Sequence, residues 1–478
     1  MEVPSFPFLG AAAVAALLYA LSPRRGWRET VLLIANTAFL LTFVHRPLEA
    51  IPYAAFVILG FGLVRMIGAG APKAAYVASI VGIVAAFFWL KRYSFIPSAL
   101  FLPGPYLLVG LSYVFFRVLH LAIDAREEPT IGRIGPVQYI NYTLNFTALV
   151  SGPIQRYEDY RRTAVEAPAA LRLAEAGEAI ERVVAGLFKF MVVATFVSMA
   201  QKKLAGAFHH DTALTAKAAD AALLTALYPI YLFFNFSGYT SFVIGVARFF
   251  RIELPENFNQ PFRALSFIEY WNRWHMSLSN WLKTYVYNPL LMVMARRVTD
   301  RRLMPYLGAI ALFVTFFLIG VWHGRTSNFF FFGILNGGGV AVNQAYRVWM
   351  NERFGRKRFA ELGKRPVYQF VTRGLTFAWV GFTLLWFWSD WPELGSYAGP
   401  LGAGGLAVAA GLLLAGSCLG LGLLQGLRVA ALRPGIAGQP ILTSRNVRTV
   451  WVTLMLMAVF AVQTVMHAAA PDVVYKTF

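Results

Sequence analysis

The chain has few charged residues and a single cysteine. Aspartate, glutamate, lysine and arginine together make up 14% of its 478 residues, whereas soluble proteins carry about 25%. Because Cys418 is the only cysteine, neither an intrachain disulfide nor a cysteine metal cluster can form. The sequence also lacks the HxxH, HExxH, CxxC, GxSxG and P-loop patterns, which argues against a metal centre, a serine nucleophile and a phosphate-binding loop. We therefore expect no metal site and no bound cofactor.

Long apolar runs recur along the whole chain. Apolar residues account for 58% of the sequence, and a run of about 20 such residues has the length that spans a hydrocarbon core. The pattern predicts an all-α polytopic membrane protein with about 11–13 transmembrane helices. The predicted spans are 8–22, 30–44, 51–66, 75–90, 106–123, 182–199, 221–250, 303–322, 329–348, 370–388, 401–424 and 450–467.

Polar residues interrupt the apolar runs in the middle of the chain, between about residues 138 and 343. Irregular or polar segments at membrane depth are tolerated only where they line a protein cavity, and they usually mark function because they are costly. We predict one integral membrane domain over 1–478, in which N-terminal helices (1–105) and C-terminal helices (346–478) flank a functional core (106–345).

The formal net charge of +20 is better explained by membrane topology than by nucleic acid. Basic residues cluster in short loops such as 296–302 and 353–365, as the positive-inside rule requires of cytoplasmic loops. The same loops could hold anionic headgroups or an acidic donor protein. The expected location is the cytoplasmic (inner) membrane, with membrane lipids and no nucleic acid as partners.

A tryptophan-rich segment at 269–283 combines aromatic and polar residues. If it forms one helix, its tryptophans share one face, Arg273 and Ser277 line another, and His275 lies at the border. The segment is too polar to span lipid, so it predicts an interfacial or re-entrant helix with tryptophans at headgroup level. An amphipathic anchor without a catalytic role is the alternative.

A second motif, GVWHG at 320–324, ends an apolar run of about 20 residues that follows the basic loop 296–302. The run carries His323 away from the face of that loop, and the flanking glycines allow a close approach of backbone or substrate. An imidazole can accept a hydroxyl proton, as acyl transfer to an alcohol requires. Two histidines without an obvious nucleophile favour direct transfer over a covalent intermediate, although a structural histidine is the alternative for His323.

These motifs follow the order found in the membrane-bound O-acyltransferase (MBOAT) family. WNRWHMSLS at 271–279 and the GVWHG motif resemble its bacterial polymer-modifying branch, which includes the teichoic-acid D-alanylation and alginate O-acetylation proteins. The resemblance covers about residues 107–343. Further similar motifs are GLSYVFFRVLHLAID (110–124), GPIQRY (152–157), FSGY (236–239) and LPENFNQPF (254–262).

The resemblance implies a helical bundle with re-entrant or interfacial helices around a central tunnel, and an acyltransferase core at 106–345. It assigns the general base to His323 and a supporting role to His275. The implied donor is an acyl-CoA or acyl carrier protein thioester in the cytoplasm, and the implied partner is an extracytoplasmic acyltransferase- or esterase-like protein. Residues expected to position donor or carrier are Asn272, Arg273, Trp274, Ser277, Ser279, Gln155 and Arg156.

The predicted function is transfer of a short acyl group, acetyl or D-alanyl, towards hydroxyls of a cell-envelope polysaccharide or teichoic-acid-like polymer. Tyr475, in an aromatic C-terminal tail, could relay the acyl group, or it could be an interfacial anchor. Two alternatives come from other classes of protein. One is a transporter or flippase for a lipid-linked substrate, which would also explain interrupted helices, and the other is a scaffold that recruits an extracytoplasmic enzyme.

Overall fold

The computed structural model describes residues 2–166, 171–300, 302–431 and 445–465. Within these ranges the regular structure is helical, apart from one isolated antiparallel bridge between Phe258 and Trp274. The Cα positions group into two compact units: the first contains the described residues of 1–187 and 236–256, and the second those of 188–235 and 257–471. The predicted division into N-terminal helices, core and C-terminal helices stays a prediction.

The first unit is organised around a buried helix, α5. Every residue from Leu111 to Ala122 in this helix is buried, and α5 packs against α3 and α4. Its polar side chains therefore need partners inside the protein. The helices of this unit are α1 (Phe6–Ala20), α2 (Arg25–Leu41), α3 (Ile51–Gly68), α4 (Lys73–Leu90), α5 (Leu111–Asp124), α6 (Pro129–Gly132), α7 (Pro136–Thr143), α8 (Tyr157–Tyr160) and α9 (Leu173–Leu187), with 3-10 turns at Pro47–Ala50 and Ser98–Leu100 and a π segment at Arg161–Glu166.

The second unit is built around long helices that pack as neighbours, α15 on α16 and α18 on both α16 and α19. Helix α11 begins in this unit and ends in the first. Its helices are α10 (Ala194–His210), α11 (Leu214–Arg248), α12 (Phe267–Trp271), α13 (Met276–Leu282), α14 (Asn288–Arg297), α15 (Met304–His323), α16 (Ser327–Phe354), α17 (Arg356–Leu362), α18 (Pro366–Trp388), α19 (Trp391–Ala431) and α20 (Arg445–Thr464), with a 3-10 turn at Pro261–Arg263 and π segments at Phe188–Val193 and Lys283–Tyr287.

Eight helical segments of the described residues are long and apolar enough to cross a membrane. They confirm the predicted all-α polytopic membrane architecture. The other four predicted spans also fall on helices, but α1, α2 and α5 are short and α16 carries many polar residues. The eight are Pro47–Gly68, Lys73–Leu90, Leu173–His210, Leu214–Arg248, Met304–His323, Pro366–Trp388, Trp391–Arg428 and Asn446–Thr464.

Helices α15 and α16 form a tight hairpin because glycines lie where they cross. A Cβ atom at Gly320 would overlap the Cα of Gly333, and one at Gly337 would come within 2.7 Å of the Phe313 carbonyl oxygen. Small residues allow helices in a membrane to approach closely. This crossing fixes the end of α15, where the chain reaches His323.

Replacing Gly320 by alanine is expected to destabilise this hairpin. The added methyl group has no room against the backbone of α16, and overpacking of this kind costs about 1–3 kcal/mol. Thermal unfolding of the purified protein in detergent measures the loss. The matched control is Gly338→Ala on α16, because a Cβ there meets nothing within 4 Å. Equal unfolding temperatures for the two variants would contradict the close crossing.

Candidate active site

His323 is the last residue of α15 and lies among aromatic rings. Its side chain is only 2% exposed, and its imidazole contacts the rings of Phe387 and Phe332 with centroids 5.1 Å and 5.9 Å away. The following glycine, Gly324, is required by packing, since a Cβ there would overlap the ring of Phe329. The two glycines of the GVWHG motif therefore serve packing around a buried imidazole.

His275 lies in a break between two short helices, α12 and α13. Its backbone is left-handed, with φ 44° and ψ 51°, and its side chain is 1% exposed. Before it, the chain pairs with 257–259, where the amide of Asn259 donates to the carbonyl of Arg273 over 3.0 Å. After it, the amide of Met276 donates to the carbonyl of Asn257 over 3.0 Å. The prediction of one continuous helix over 269–283 is wrong, because this pairing captures backbone groups that a helix would use.

Asn257 holds the start of α13 through its side chain as well as its backbone. The Asn257 Oδ1 atom accepts a hydrogen bond from the buried amide of Ser277 over 3.1 Å. The residue lies within the LPENFNQPF motif, but its individual role is not evident from the sequence. An asparagine about 20 residues before a helix gives no local capping signal, because the contact exists only in the folded chain.

Replacing Asn257 by alanine should loosen the turn that carries His275. The amide of Ser277 would lose its acceptor, and an unsatisfied buried donor costs about 1–3 kcal/mol. Thermal unfolding of Asn257→Ala against the wild type measures this loss. An alanine variant as stable as the wild type would contradict the capping role.

The indole of Trp322 connects the two histidines. Its ring centroid is 4.7 Å from that of His323 and 6.4 Å from that of His275. Both histidines and the tryptophan belong to the second unit. The structure therefore brings together two residues that are 48 positions apart in the sequence, and it does so through one buried aromatic side chain.

The tryptophans of the 269–283 segment are buried in the protein, and their predicted place at headgroup level stays a prediction. Trp271, Trp274 and Trp281 are 6%, 3% and 5% exposed. The ring of Trp271 packs against Phe316 of α15, with centroids 5.1 Å apart. The break at His275 turns successive parts of the segment in different directions, so the tryptophans contact neighbouring helices rather than one membrane surface.

The polar residues predicted around His275 mostly stabilise this turn. Arg273 pairs with Glu269 over 2.8 Å, and the hydroxyl of Ser279 donates to the Trp271 and Trp274 carbonyls over 3.3 Å and 3.4 Å. Asn272 is exposed. A role of Asn272, Arg273, Trp274, Ser277 and Ser279 in donor binding stays a prediction.

Gln155 and Arg156 belong to the first unit, and Gln155 takes part in a different polar network. The Gln155 side-chain amide donates to the backbone carbonyl of Glu253 over 2.9 Å, and the backbone carbonyl of Gln155 accepts from the Tyr142 hydroxyl over 2.6 Å. Arg156 is exposed. The predicted role of these two residues in positioning the donor or carrier stays a prediction.

The centre of that first-unit network is His120, whose role the sequence did not reveal. Its Nδ1 atom lies 2.9 Å from an Asp124 carboxylate oxygen, and its Nε2 atom lies 2.9 Å from the Tyr142 hydroxyl and 3.2 Å from the Tyr157 amide. The histidine–aspartate spacing of four residues on α5 was the available signal.

Burial sets the protonation state of His275, which lies outside the eight candidate spans. Removal from water lowers the pKa of its imidazole to about 3, because a charged ring is disfavoured there. The ring is therefore neutral at physiological pH, where it can donate through one nitrogen and accept through the other. A base this weak suits a positioning role better than proton abstraction.

Acid is expected to destabilise the protein through His275. The unfolded chain, with a pKa near 6.5, takes up the proton first, so stability is complete above that pH and falls as the pH drops towards 3. At pH 5 the loss is roughly 2 kcal/mol. Thermal unfolding across this range should show a smaller acid effect for His275→Asn than for the wild type. An identical pH dependence would contradict the lowered pKa.

Tyr475 lies outside the described residues. Among the residues that the structure describes, no three His, Cys, Asp or Glu side chains are placed to hold a metal ion.

Comparison with known proteins identifies the family. The family model for MBOAT, the membrane-bound O-acyltransferase family, matches residues 111–371, which include both histidines. A teichoic acid D-alanyltransferase of Bacillus subtilis (strain 168) is 31% identical over 228 residues, 47% of this chain and 56% of the relative. A peptidoglycan O-acetyltransferase of Helicobacter pylori is 37% identical over 161 residues, 34% of this chain and 28% of the relative.

A third relative, a probable alginate O-acetylase AlgI of Azotobacter vinelandii, is 30% identical over 246 residues, 50% of this chain and 45% of the relative. The chain spans about half the length of the first curated relatives that it matches. The family match alone covers more than half of the 478 residues. The chain belongs to the membrane-bound O-acyltransferase family.

Proposed function

We propose that this chain is an O-acyltransferase that passes a short acyl group, acetyl or D-alanyl, towards hydroxyls of a cell-envelope polysaccharide or teichoic-acid-like polymer. The observation that carries the proposal is the contact of His275 and His323 with the same indole, inside the family-matched region. Relatives named as acting on teichoic acid, peptidoglycan and alginate support the choice of polymer class.

His323 is the general base in the proposed mechanism. The acceptor hydroxyl oxygen attacks the thioester carbonyl carbon while the His323 imidazole takes the hydroxyl proton. The carbon–sulfur bond then breaks, and the His323 imidazolium gives its proton to the leaving thiolate, so that an ester and a free thiol are formed. The surrounding aromatic rings exclude water, which would otherwise compete as the acceptor.

His275 is a positioning residue in this mechanism. Its neutral ring contacts the indole of Trp322, and this indole in turn contacts the general base. Asn257 fixes the turn around His275 through both its backbone carbonyl and its side-chain oxygen. The proposed role is to hold the tryptophan and the thioester in place, since small displacements of reacting groups are costly in rate.

The donor, the partner and the location complete the proposal. The donor is an acyl-CoA or acyl carrier protein thioester in the cytoplasm, and an extracytoplasmic acyltransferase- or esterase-like partner delivers the group to the polymer. The location is the cytoplasmic membrane, in agreement with the eight apolar spans and the basic loops. Tyr475 remains a proposed relay of the acyl group.

Inside-out membrane vesicles test the donor and the class of function together. Vesicles with wild-type protein are given labelled acetyl-CoA or a labelled D-alanyl carrier protein, and base-labile label is measured on lipid and polymer. Ester formation with one donor, lost in His323→Ala, supports the proposal. Movement of lipid without ester formation would identify a transporter, and full acylation in both histidine variants would identify a scaffold.

A further inference from the structure

A large elongated cavity lies beside α12, between α16, α17 and α18, all within the second unit. Its volume is about 1310 Å³, which exceeds the roughly 300–1,000 Å³ of pockets for drug-sized ligands. Neither His275 nor His323 lines it. The proposed acyl-transfer reaction therefore does not account for this cavity.

The cavity is apolar at one end and basic at the other. Ile334 and Leu375 line the apolar end, whereas Arg347 and Arg356 line the basic end. Helices α16 and α18 pack along each other, and the apolar and basic ends lie at opposite ends of this helix pair. At the basic end the Tyr346 and Tyr368 hydroxyls lie 3.3 Å from each other, and at the apolar end Gly339 packs against the Trp379 indole.

The distance between the apolar and the basic end of the cavity matches the thickness of one leaflet of a bilayer. The lining of α16 extends from Ile334 to Asn351, and 17 residues of α-helix span about 25 Å. Half of a bilayer of about 40–45 Å, headgroups included, is close to this length. A ligand that fills the cavity is therefore a long amphiphile with one polar end.

The basic end lies on the cytoplasmic side by the positive-inside rule. The start of α15 follows the basic loop 296–302, and Tyr306 on its first turn donates to Glu352 at the end of α16 over 3.0 Å. The C-terminal end of α16 and the basic loop 296–302 therefore lie on the same side of the membrane. Among the described residues, neither Arg347 nor Arg356 forms a salt bridge, so both guanidinium groups can bind an anion.

We propose that this cavity binds an anionic phospholipid of the cytoplasmic leaflet, with its phosphate at Arg347 and Arg356 and an acyl chain between α16 and α18. The ligand would also support the turn before His275. Ser266 and Asn343 line the cavity, and both side chains accept hydrogen bonds from the first turn of α12, from the Glu269 and Ile268 amides over 3.2 Å each.

The test measures which lipids stay bound to the full chain. The protein is reconstituted in bilayers of equal parts phosphatidylcholine and phosphatidylglycerol, extracted, and analysed by native mass spectrometry. We expect the wild type to retain phosphatidylglycerol selectively, and Arg347→Gln/Arg356→Gln to lower this selectivity about 30-fold. Arg353→Gln, an exposed arginine on α16 outside the cavity lining, is the matched control and should keep it.

A second variant tests the acyl-chain end without touching a charge. Gly338 lines the cavity, and a Cβ there meets open space, so Gly338→Leu should fill the apolar end and lose the lipid, whereas Gly338→Ala keeps it. Unfolding temperature confirms that the variants fold. Retained lipid that mirrors the bilayer composition, or that persists in both test variants, would overturn the proposal. Displacement of the lipid by an acyl-CoA thioester would assign the cavity to the donor and overturn it too.

Discussion

His323→Ala is expected to abolish acylation of the envelope polymer without loss of the protein from the membrane. The imidazole is the only proton acceptor assigned to the transfer step, and removing a general base lowers rates by about 100- to 10,000-fold. The change is a truncation among the rings of Phe332 and Phe387, so the hairpin of α15 and α16 should persist. Ester content of the polymer and abundance of the protein in membranes measure the two effects.

Two further variants separate chemistry from packing at this position. His323→Phe keeps an aromatic ring in the aromatic surroundings but cannot accept a proton, so it should be as inactive as the alanine variant and more stable. His210→Ala removes an exposed histidine at the end of α10 and should leave acylation unchanged. Restored acylation in His323→Phe would show that the ring serves packing alone.

Variants of His275 should reduce transfer about 100-fold, the loss typical of a misplaced reacting group. The left-handed backbone of this residue gives the experiment its control. Asparagine and glycine adopt this conformation readily, whereas alanine is strained there by about 1–2 kcal/mol. His275→Asn and His275→Gly therefore remove the imidazole with little change in the backbone, and His275→Ala adds strain to the same loss.

The pattern of activities then identifies which property of His275 matters. If the imidazole positions Trp322 and the donor, all three variants lose kcat to a similar extent with little change in donor KM, and only the alanine variant is less stable. If the turn alone matters, His275→Asn and His275→Gly stay active. Wild-type kcat in His275→Asn would exclude a positioning role for the ring.

The class of fold could be predicted from the sequence because it depends on local composition. Apolar runs of bilayer length form helices wherever they occur in a membrane, and each predicted span overlaps a helix of the described residues. Local patterns could not show which of the apolar runs form helices long enough to cross the membrane. Helix α5 has only 14 residues, yet it is buried along most of its length because neighbouring helices cover it.

The two histidines could be chosen as candidates from the sequence, but their surroundings could not be predicted. The motifs identified His323 and His275 as candidates without revealing that Trp322 contacts both. The helical interpretation of 269–283 failed because hydrogen bonds to Asn257 and Asn259, distant in sequence, compete with the helix at His275. The network around His120 could not be predicted because its partners Tyr142 and Tyr157 lie on other elements.

The most direct test of the proposed catalysis is transfer by the purified protein in proteoliposomes. Labelled thioester donor is supplied on one side, and a hydroxyl-bearing acceptor with the extracytoplasmic protein fraction that contains the proposed partner is supplied on the other. Ester formation is followed for the wild type and His323→Ala at equal protein content. We predict ester formation and release of free thiol in equal amounts for the wild type and neither for the variant. Equal rates of ester formation in the two would contradict His323 as the general base.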